Sequence, residues 1–388
     1  MRMADEADVN MRGHEWMSEG TAGALTAARF LRTYWQKKAL FARSALTEVA
    51  QRFEPAMLIE LASRDDVESR LVRREGKRWS VEHGPFPRRR LERLPARGWS
   101  LLVQGADLHL PAARALMDRF DFIPYARHDD VMLSLSPPGG GVGAHFDSYD
   151  VFLVQALGCR RWRIGRQRDL ALQPDAPLRI LKSFRPEREY AVEPGDVLYL
   201  PPRYAHEGVA TTQCITCSVG FRAPSRQEIA TSFLQWLPDR LTLTGRYRDR
   251  ETTLPKHPAQ IGTSMVREIE AMLAAVRWSR ATVEQFAGEQ LTEPKAQVWF
   301  RAPERIVPFA RFLAHARAHG VRLAASTRML FRGDRLFVNG ECVRMPPSAR
   351  AALIALADER AALPWRSRSL QAARQMHEWY RAGYVELA

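Results

Sequence analysis

Four cysteines, Cys159, Cys214, Cys217 and Cys342, are too few and too scattered to staple a chain of 388 residues, which excludes a disulfide framework. Cys214 and Cys217 make a CxxC pair with no second pair to complete a zinc site. They fall in the strand-like run QCITCSVGF, where residues three apart face opposite sides, and are read as buried thiols. No apolar run approaches the roughly 20 residues of a membrane span, so no membrane segment is expected. The opening MRMADEADVNMRGHEWMSEG lacks the basic start and apolar centre of a secretory signal. A cytoplasmic protein with a flexible stretch over residues 1–24 is therefore expected. Acidic residues are in deficit, 44 against 58 Lys and Arg, for a formal charge of +14. Such an excess favours an anionic partner. The charge is spread along the chain, with local clusters at Arg73-Arg74 to Lys77-Arg78 and at Arg88-Arg89-Arg90. Contact with nucleic acid is compatible with it; specific recognition is not expected.

What the chain does carry is a metal-ligand pattern. His145-x-Asp147 stands at what reads as the start of a β-strand, and His206 follows 59 residues after Asp147, in PPRYAHEG. Two imidazoles and one carboxylate on one face of an ion make the facial triad of non-haem Fe(II) oxygenases, which leaves coordination positions open. Strand alternation puts residues i and i+2 on the same face, so His145 and Asp147 can reach one ion. An HxD pair with a later histidine also arises by chance; its surroundings favour a site. PPGGGVGA before His145 lets backbone approach closely, and Val151 to Leu157 is a continuous apolar run, read as a buried strand.

Beyond the turn at Leu157-Gly158-Cys159, the strand RRWRI places Arg160, Trp162 and Ile164 on one face. If that face is the inner one, a guanidinium is buried with them, which is costly without an anion held in its fork. A bound dicarboxylic acid would serve. The alternatives are an ion pair within the chain or a register that turns Arg160 outward.

The run GGGVGAHFDSYDVFLVQALGCRRWRIG, with LPPRYAHEG after it and FLRTYWQKKALFARSAL (residues 30–46) before it, closely resembles the JmjC-type ribosomal oxygenases, in particular the bacterial arginine hydroxylases. The resemblance implies Fe(II), with 2-oxoglutarate and O2 as cosubstrates. By position, His145, Asp147 and His206 match the iron ligands, Arg160 the clamp on the far carboxylate of 2-oxoglutarate, and Ser136 a hydroxyl assisting it. It implies β-hydroxylation of an arginine in the sixteenth large-subunit ribosomal protein, and a homodimer. Tyr149, on the same expected strand face as His145 and Asp147, is a candidate for positioning substrate, or for packing alone. The rivals are the same chemistry on a histidine or another ribosomal protein, and a non-catalytic nucleic-acid-binding protein.

The expected fold is α+β: a JmjC/cupin jelly-roll barrel over residues 25–224, a helical dimerisation region over 225–301 and a winged-helix-like domain over 302–388. Helices are expected at Thr26–Lys38, Glu54–Ala62, Asp65–Leu71 and His109–Phe120, and strands at Arg78–Glu82 and Trp99–Val103. Val131–Ser136 should set an apolar face against a semi-polar one lining a cavity. Pro201-Pro202 should present His206 from a loop, and Ile215, Cys217, Val219 and Phe221 should point into the barrel. The stripe Ile261, Met265, Ile269, Met272, Leu273 and Val276 has helical spacing and reads as core. Asn339-Gly340 marks a tight hairpin turn.

Overall fold

Thr26 starts the first helix: its side-chain oxygen accepts the Arg29 N–H at 3.2 Å in the computed structural model, which describes residues 15–18, 24–76, 78–249, 254, 256–360 and 364–388. The chain divides into two units, Met1–Ala223 with Ala296–Trp299, and Pro224–Lys295 with Phe300–Ala388.

The first unit opens on β1 (Glu15–Ser18), paired antiparallel with β2 (Ala24–Thr26). The expected flexible stretch thus contains a strand; its residues 1–14 and 19–23 lie outside the described residues. There follow α1 (Ala27–Thr33), β3 (Leu40–Ala42), α2 (Pro55–Leu61), β4 (Ser69–Glu75), β5 (Arg78–His83), α3 (Arg88–Leu91), β6 (Trp99–Val103) and α4 (Pro111–Asp118). Seven strands complete the unit: β7 (His128–Ser136), β8 (Asp150–Leu157), β9 (Arg160–Gly165), β10 (Arg188–Val192), β11 (Val197–Leu200), β12 (Ala205–Ala210) and β13 (Cys214–Phe221). With β3, β4, β5 and β6 they form an eight-stranded sheet, β3-β11-β8-β13-β7-β6-β4-β5, and a three-stranded one, β10-β9-β12.

Two apolar layers hold this unit. Val151, Leu153, Leu198 and Leu200 of the large sheet pack with Trp162, Ile164 and Val192 of the small one, so the two sheets enclose an interior between them. The opposite face of the large sheet is covered by helices: Leu133, Leu135, Phe152 and Tyr199 cluster with Phe30 of α1, Leu58 of α2 and Leu116 of α4. Ile215, Cys217, Val219 and Phe221 belong to this second layer, which corrects the expectation that they point into the barrel. Strand β13 is buried on both faces, so hydrophobicity alone could not tell which face was which. The helix expected over Asp65–Leu71 does not form. Ser69–Glu75 is instead strand β4, held between β5 and β6 by ladders that local preference for a helix start cannot outweigh.

In the second unit, α5 (Arg226–Trp236), α6 (Thr263–Ala274) and α7 (Arg280–Thr292) precede α8 (Phe309–Ala318), β14 (Val321–Leu323), β15 (Met329–Arg332), β16 (Arg335–Val338), β17 (Glu341–Arg344), α9 (Arg350–Glu359), α10 (Leu370–Arg381) and β18 (Val385–Leu387). A capping box starts α5, with the Ser225 oxygen accepting the Glu228 N–H at 3.1 Å. Asn339 and Gly340 both take positive φ, 49° and 88°, and turn β16 back onto β17 as the NG pair requires. Gly288 of α7 sits flat on the Phe337 ring of β16, where a side chain would collide. Helix α7 buries Phe286 and Thr292, whereas α6, like α5, has no buried residue. The core role expected for its apolar stripe is therefore overturned.

Candidate metal centre

His145 and His206 meet because they are backbone partners. Each donates its N–H to the other's carbonyl, at 2.9 and 2.8 Å, in an isolated antiparallel bridge. His206 itself lies in strand β12, opposite Ile164 of β9, and not in the loop expected after Pro201-Pro202. Conversely, Asp147 and Tyr149 lie in the irregular segment before β8, so strand alternation does not account for their placement. Asp147 is fixed instead by its own carbonyl, which accepts the Arg203 N–H at 2.7 Å. The glycine run supplies close approach: a Cβ on Gly141 would stand 2.5 Å from the Gly208 carbonyl oxygen of β12.

One donor atom from each of His145, Asp147 and His206 lies within 4.8 Å of the others, and the His206 Nε2 is 3.6 Å from Asp147 Oδ2. Both imidazoles are oriented from behind. Their Nδ1 atoms stand 2.9 Å from carbonyl oxygens, of Gly143 for His145 and of Tyr204 for His206. A carbonyl only accepts, so each Nδ1 carries the proton and each Nε2 offers a lone pair to the cluster. Burial first, and then the adjacent His145, lower the His206 pKa to about 4, against a smaller opposing pull from Asp147. The ring is therefore neutral near pH 7 and available as a ligand. Two imidazoles and a carboxylate on a half-open face suit Fe(II) with positions to spare.

A second feature shares the wall. Strand β9 alternates as expected: Arg160, Trp162 and Ile164 are buried, while Arg161 is exposed. Cross-strand partners share a face, so His206, opposite Ile164, and Arg160, opposite Ala210, look into the same interior. Trp162 lies between them, its ring centroid 5.7 Å from that of His206 and 5.6 Å from the Arg160 guanidinium. Arg160 is only 5 % exposed, and its guanidinium donates to Ser136 Oγ at 2.6 Å. Its Nε–H is buried without a partner, and it has no salt bridge among the described residues. A cation so placed needs an anion from outside the chain. The hydroxyl of Ser100, 2.7 Å from Ser136 Oγ, extends this group. Sequence reasoning missed Ser100, although it is the one polar residue in the otherwise apolar strand WSLLV.

Tyr149, 40 % exposed, stands beside Asp130 near Gly220. Desolvation, and then the carboxylates of Asp147, Asp130 and Asp129, push its pKa well above the ordinary phenol range, so it keeps its proton. Immediately after it, the buried Asp150 anchors the segment by accepting from Tyr199 at 2.6 Å, Gln36 at 3.0 Å and Arg127 at 3.3 Å. Asp150 was also missed; nothing local in the sequence separates it from Asp147 as a structural carboxylate.

Among the described residues, no helix is long and apolar enough to cross a membrane. The JmjC domain family matches residues 115–229, and the ROXA-like winged helix family matches residues 275–385. The ribosomal protein uL16 3-hydroxylase of Escherichia coli is 34% identical over 331 residues, 84% of this chain and 87% of that protein. The X-ray structure of E. coli ycfD superposes with a TM-score of 0.81 at 31% identity, covering 93% of this chain and 98% of that one. A structure of the same ribosomal oxygenase with cobalt and 2-oxoglutarate gives 0.80 at 30% identity, with the same coverage. With a cupin barrel, a winged helix and relatives aligned along most of its length, the chain belongs to the JmjC-domain ribosomal oxygenases.

Proposed function

We propose that this chain is an Fe(II)- and 2-oxoglutarate-dependent dioxygenase that hydroxylates an arginine side chain of a large-subunit ribosomal protein, the sixteenth, in the cytoplasm. The observation that carries the reading is Arg160: a buried guanidinium without a carboxylate partner, on the same barrel wall as three converging metal-ligand side chains. In this reading His145, Asp147 and His206 hold the iron, and Arg160 with Ser136 grips the far carboxylate of 2-oxoglutarate. The arginine fork and the hydroxyl give that carboxylate charge-assisted hydrogen bonds in a dry cavity. When bound, Fe(II) and 2-oxoglutarate supply activation of O2, oxidative decarboxylation of the oxo acid and transfer of one oxygen atom to an unactivated C–H bond. The chain's part is orientation and exclusion of water. Tyr149, protonated and at the edge of the site, is assigned to substrate positioning.

The substrate assignment draws support from the name of the E. coli relative, aligned over 84% of this chain. Incubating the enzyme with a peptide of that ribosomal protein, Fe(II) and 2-oxoglutarate, followed by fragment mass spectrometry, tests it. One added oxygen atom on arginine is expected; addition on histidine alone would move the substrate, and succinate formation without any addition would remove it.

The exposed α6 stripe supports a homodimer. Leu273 is 66 % exposed, and Met265, Ile269 and Met272 are exposed at helical spacing beside it, with Ile261 exposed just before the helix. Sedimentation should return twice the 44.2 kDa of one chain.

A further inference from the structure

Between Arg70 and Arg97 the chain carries ten Lys or Arg and only three Glu, a basic excess that the oxygenase chemistry does not use. The structure gathers part of it into a cleft of about 470 Å3, lined by Arg73, Arg89, Arg90 and Arg93 with prolines 87 and 95, and by no acidic side chain. Two glutamates serve several arginines here: Glu82 pairs with Arg73 at 3.6 Å and with Arg90, while Glu92 pairs with Arg88 at 2.8 Å. Arg78, Arg89, Arg93 and Arg97 make no salt bridge among the described residues, although Arg78 stands opposite Glu75 in the β4–β5 ladder. The Nε–H of Arg73 is buried with no hydrogen-bond acceptor. Strand β5 is the outer edge of the large sheet, and charge on an edge strand discourages strand addition. That accounts for Arg78 but not for the arginines of α3, which lie outside the strand.

We propose that this basic face, formed by β4, β5 and α3, binds the phosphodiester backbone of RNA. Planar guanidinium forks in an open cleft suit phosphate oxygens, and an RNA partner follows if the substrate is a ribosomal protein, so the choice of polyanion rests on the function proposed above. A membrane fits poorly: no large apolar side chain is exposed between Met57 and Tyr149 among the described residues. The face also adjoins the metal centre. Trp79 of β5 packs against Gly143, two residues before His145, where an added Cβ would be 3.0 Å from the ring. The Gly98 N–H donates to the Pro138 carbonyl at 3.2 Å, tying the loop after α3 to the glycine run. RNA held here would bring a protein embedded in it to the site by raising its effective concentration.

Fluorescence anisotropy of the full chain with a labelled oligouridylate of about 20 nucleotides, across a salt series, tests the assignment. For a single strand, the log–log salt slope changes by about 0.7 per phosphate contact. Arg89→Glu with Arg93→Glu should therefore weaken binding at least tenfold and flatten the slope by about 1.4. The milder Arg78→Gln with Arg97→Gln should shift both in the same direction. Unchanged affinity and slope in both variants would overturn the proposal, as would polyglutamate or anionic vesicles competing as well as RNA of equal charge. Turnover of 2-oxoglutarate, read on the same samples, should survive in both variants, which reports their folding independently. A wild-type chain that binds RNA but never consumes 2-oxoglutarate would sink the oxygenase reading and leave the RNA surface standing.

Discussion

The inner wall of the barrel and the surface of helix α6 break the same rule in opposite directions. Inside the first unit, a guanidinium, two serine hydroxyls and a histidine are buried along β9, β12 and their neighbours. On α6, the apolar side chains that would normally be buried are exposed. Each arrangement costs free energy as it stands: a buried unpaired cation for want of an anion, an exposed apolar stripe for want of a cover. The difference lies in what relieves the cost. The polar wall calls for a small charged ligand of fixed geometry, and the apolar helix for a surface that need only be apolar and complementary.

The sharpest way to break this contrast is at the converging His145, Asp147 and His206. Asp147→Ala removes the only carboxylate of the triad and should lower 2-oxoglutarate turnover by more than about 100-fold, since even outer-shell changes cost 10- to 100-fold. Metal content of the purified variant, measured alongside, should fall with it. Undiminished turnover would show that the three side chains converge for structural reasons alone.

Acid titration asks whether the buried wall is neutral where it must be. Folded His206 takes up its proton near pH 4, whereas an unfolded histidine does so near pH 6.5. Between those values the unfolded chain holds more protons, so stability is highest above pH 6.5 and falls as the pH drops towards 4, by ~3 kcal/mol from this residue. Urea midpoints of the metal-free protein and of His206→Gln should therefore diverge less at pH 4.5 than at pH 7. Parallel pH dependences would mean that His206 is not held as a buried neutral ring.

Arg160 separates ligand binding from stability. Arg160→Met keeps much of the packing beside Trp162 but removes the charge, and should raise the KM for 2-oxoglutarate by about 10- to 100-fold, the worth of one or two charge-assisted hydrogen bonds. The ligand-free variant should melt no lower than the wild type, because an unpaired buried cation contributes little to the empty protein. A large loss of stability with unchanged KM would reverse the assignment.

Why some of this was legible beforehand and some was not follows from the range of the interactions involved. Alternation in RRWRI depends only on neighbouring residues, and it placed Arg160 on the buried face; the Asn339-Gly340 turn is local in the same way. The HxD…H pattern picked out three side chains that do converge, but for a partly wrong reason. His145 and His206 meet through a cross-strand bridge, and Asp147 is held from a loop, neither of which spacing reveals. Strand β14 spans three residues and exists because β18, at the far end of the chain, pairs with it. Periodicity correctly gave α6 an apolar stripe, but not whether the protein's own core or another surface would cover it.

That last point has its own test. Ile269→Glu with Leu273→Glu places two charges on the stripe, and each would be desolvated in any interface that covers it. Sedimentation mass should fall from twice 44.2 kDa to that of one chain at micromolar concentration, with the melting temperature of the isolated protomer little changed. If mass is unaffected, the stripe does not form the dimer contact; if the wild type is already a single chain, there is no dimer to break.

Tyr149 should show the smallest effect, and it is the residue for which the two kinds of region are hardest to tell apart. Its ring is partly exposed, like the α6 stripe, yet its hydroxyl lies among carboxylates, like the polar wall. Packing and positioning make different demands on it. A packing role needs the ring and is satisfied by phenylalanine; a positioning role needs the O–H, which the nearby Asp147, Asp130 and Asp129 keep protonated and able to donate. Tyr149→Phe removes one neutral hydrogen bond, worth ~1 kcal/mol, so KM for the protein substrate should rise about threefold to tenfold while KM for 2-oxoglutarate stays put. A variant indistinguishable in both constants would assign the side chain to packing, and a rise in both would place its hydroxyl nearer the cosubstrate than to the substrate.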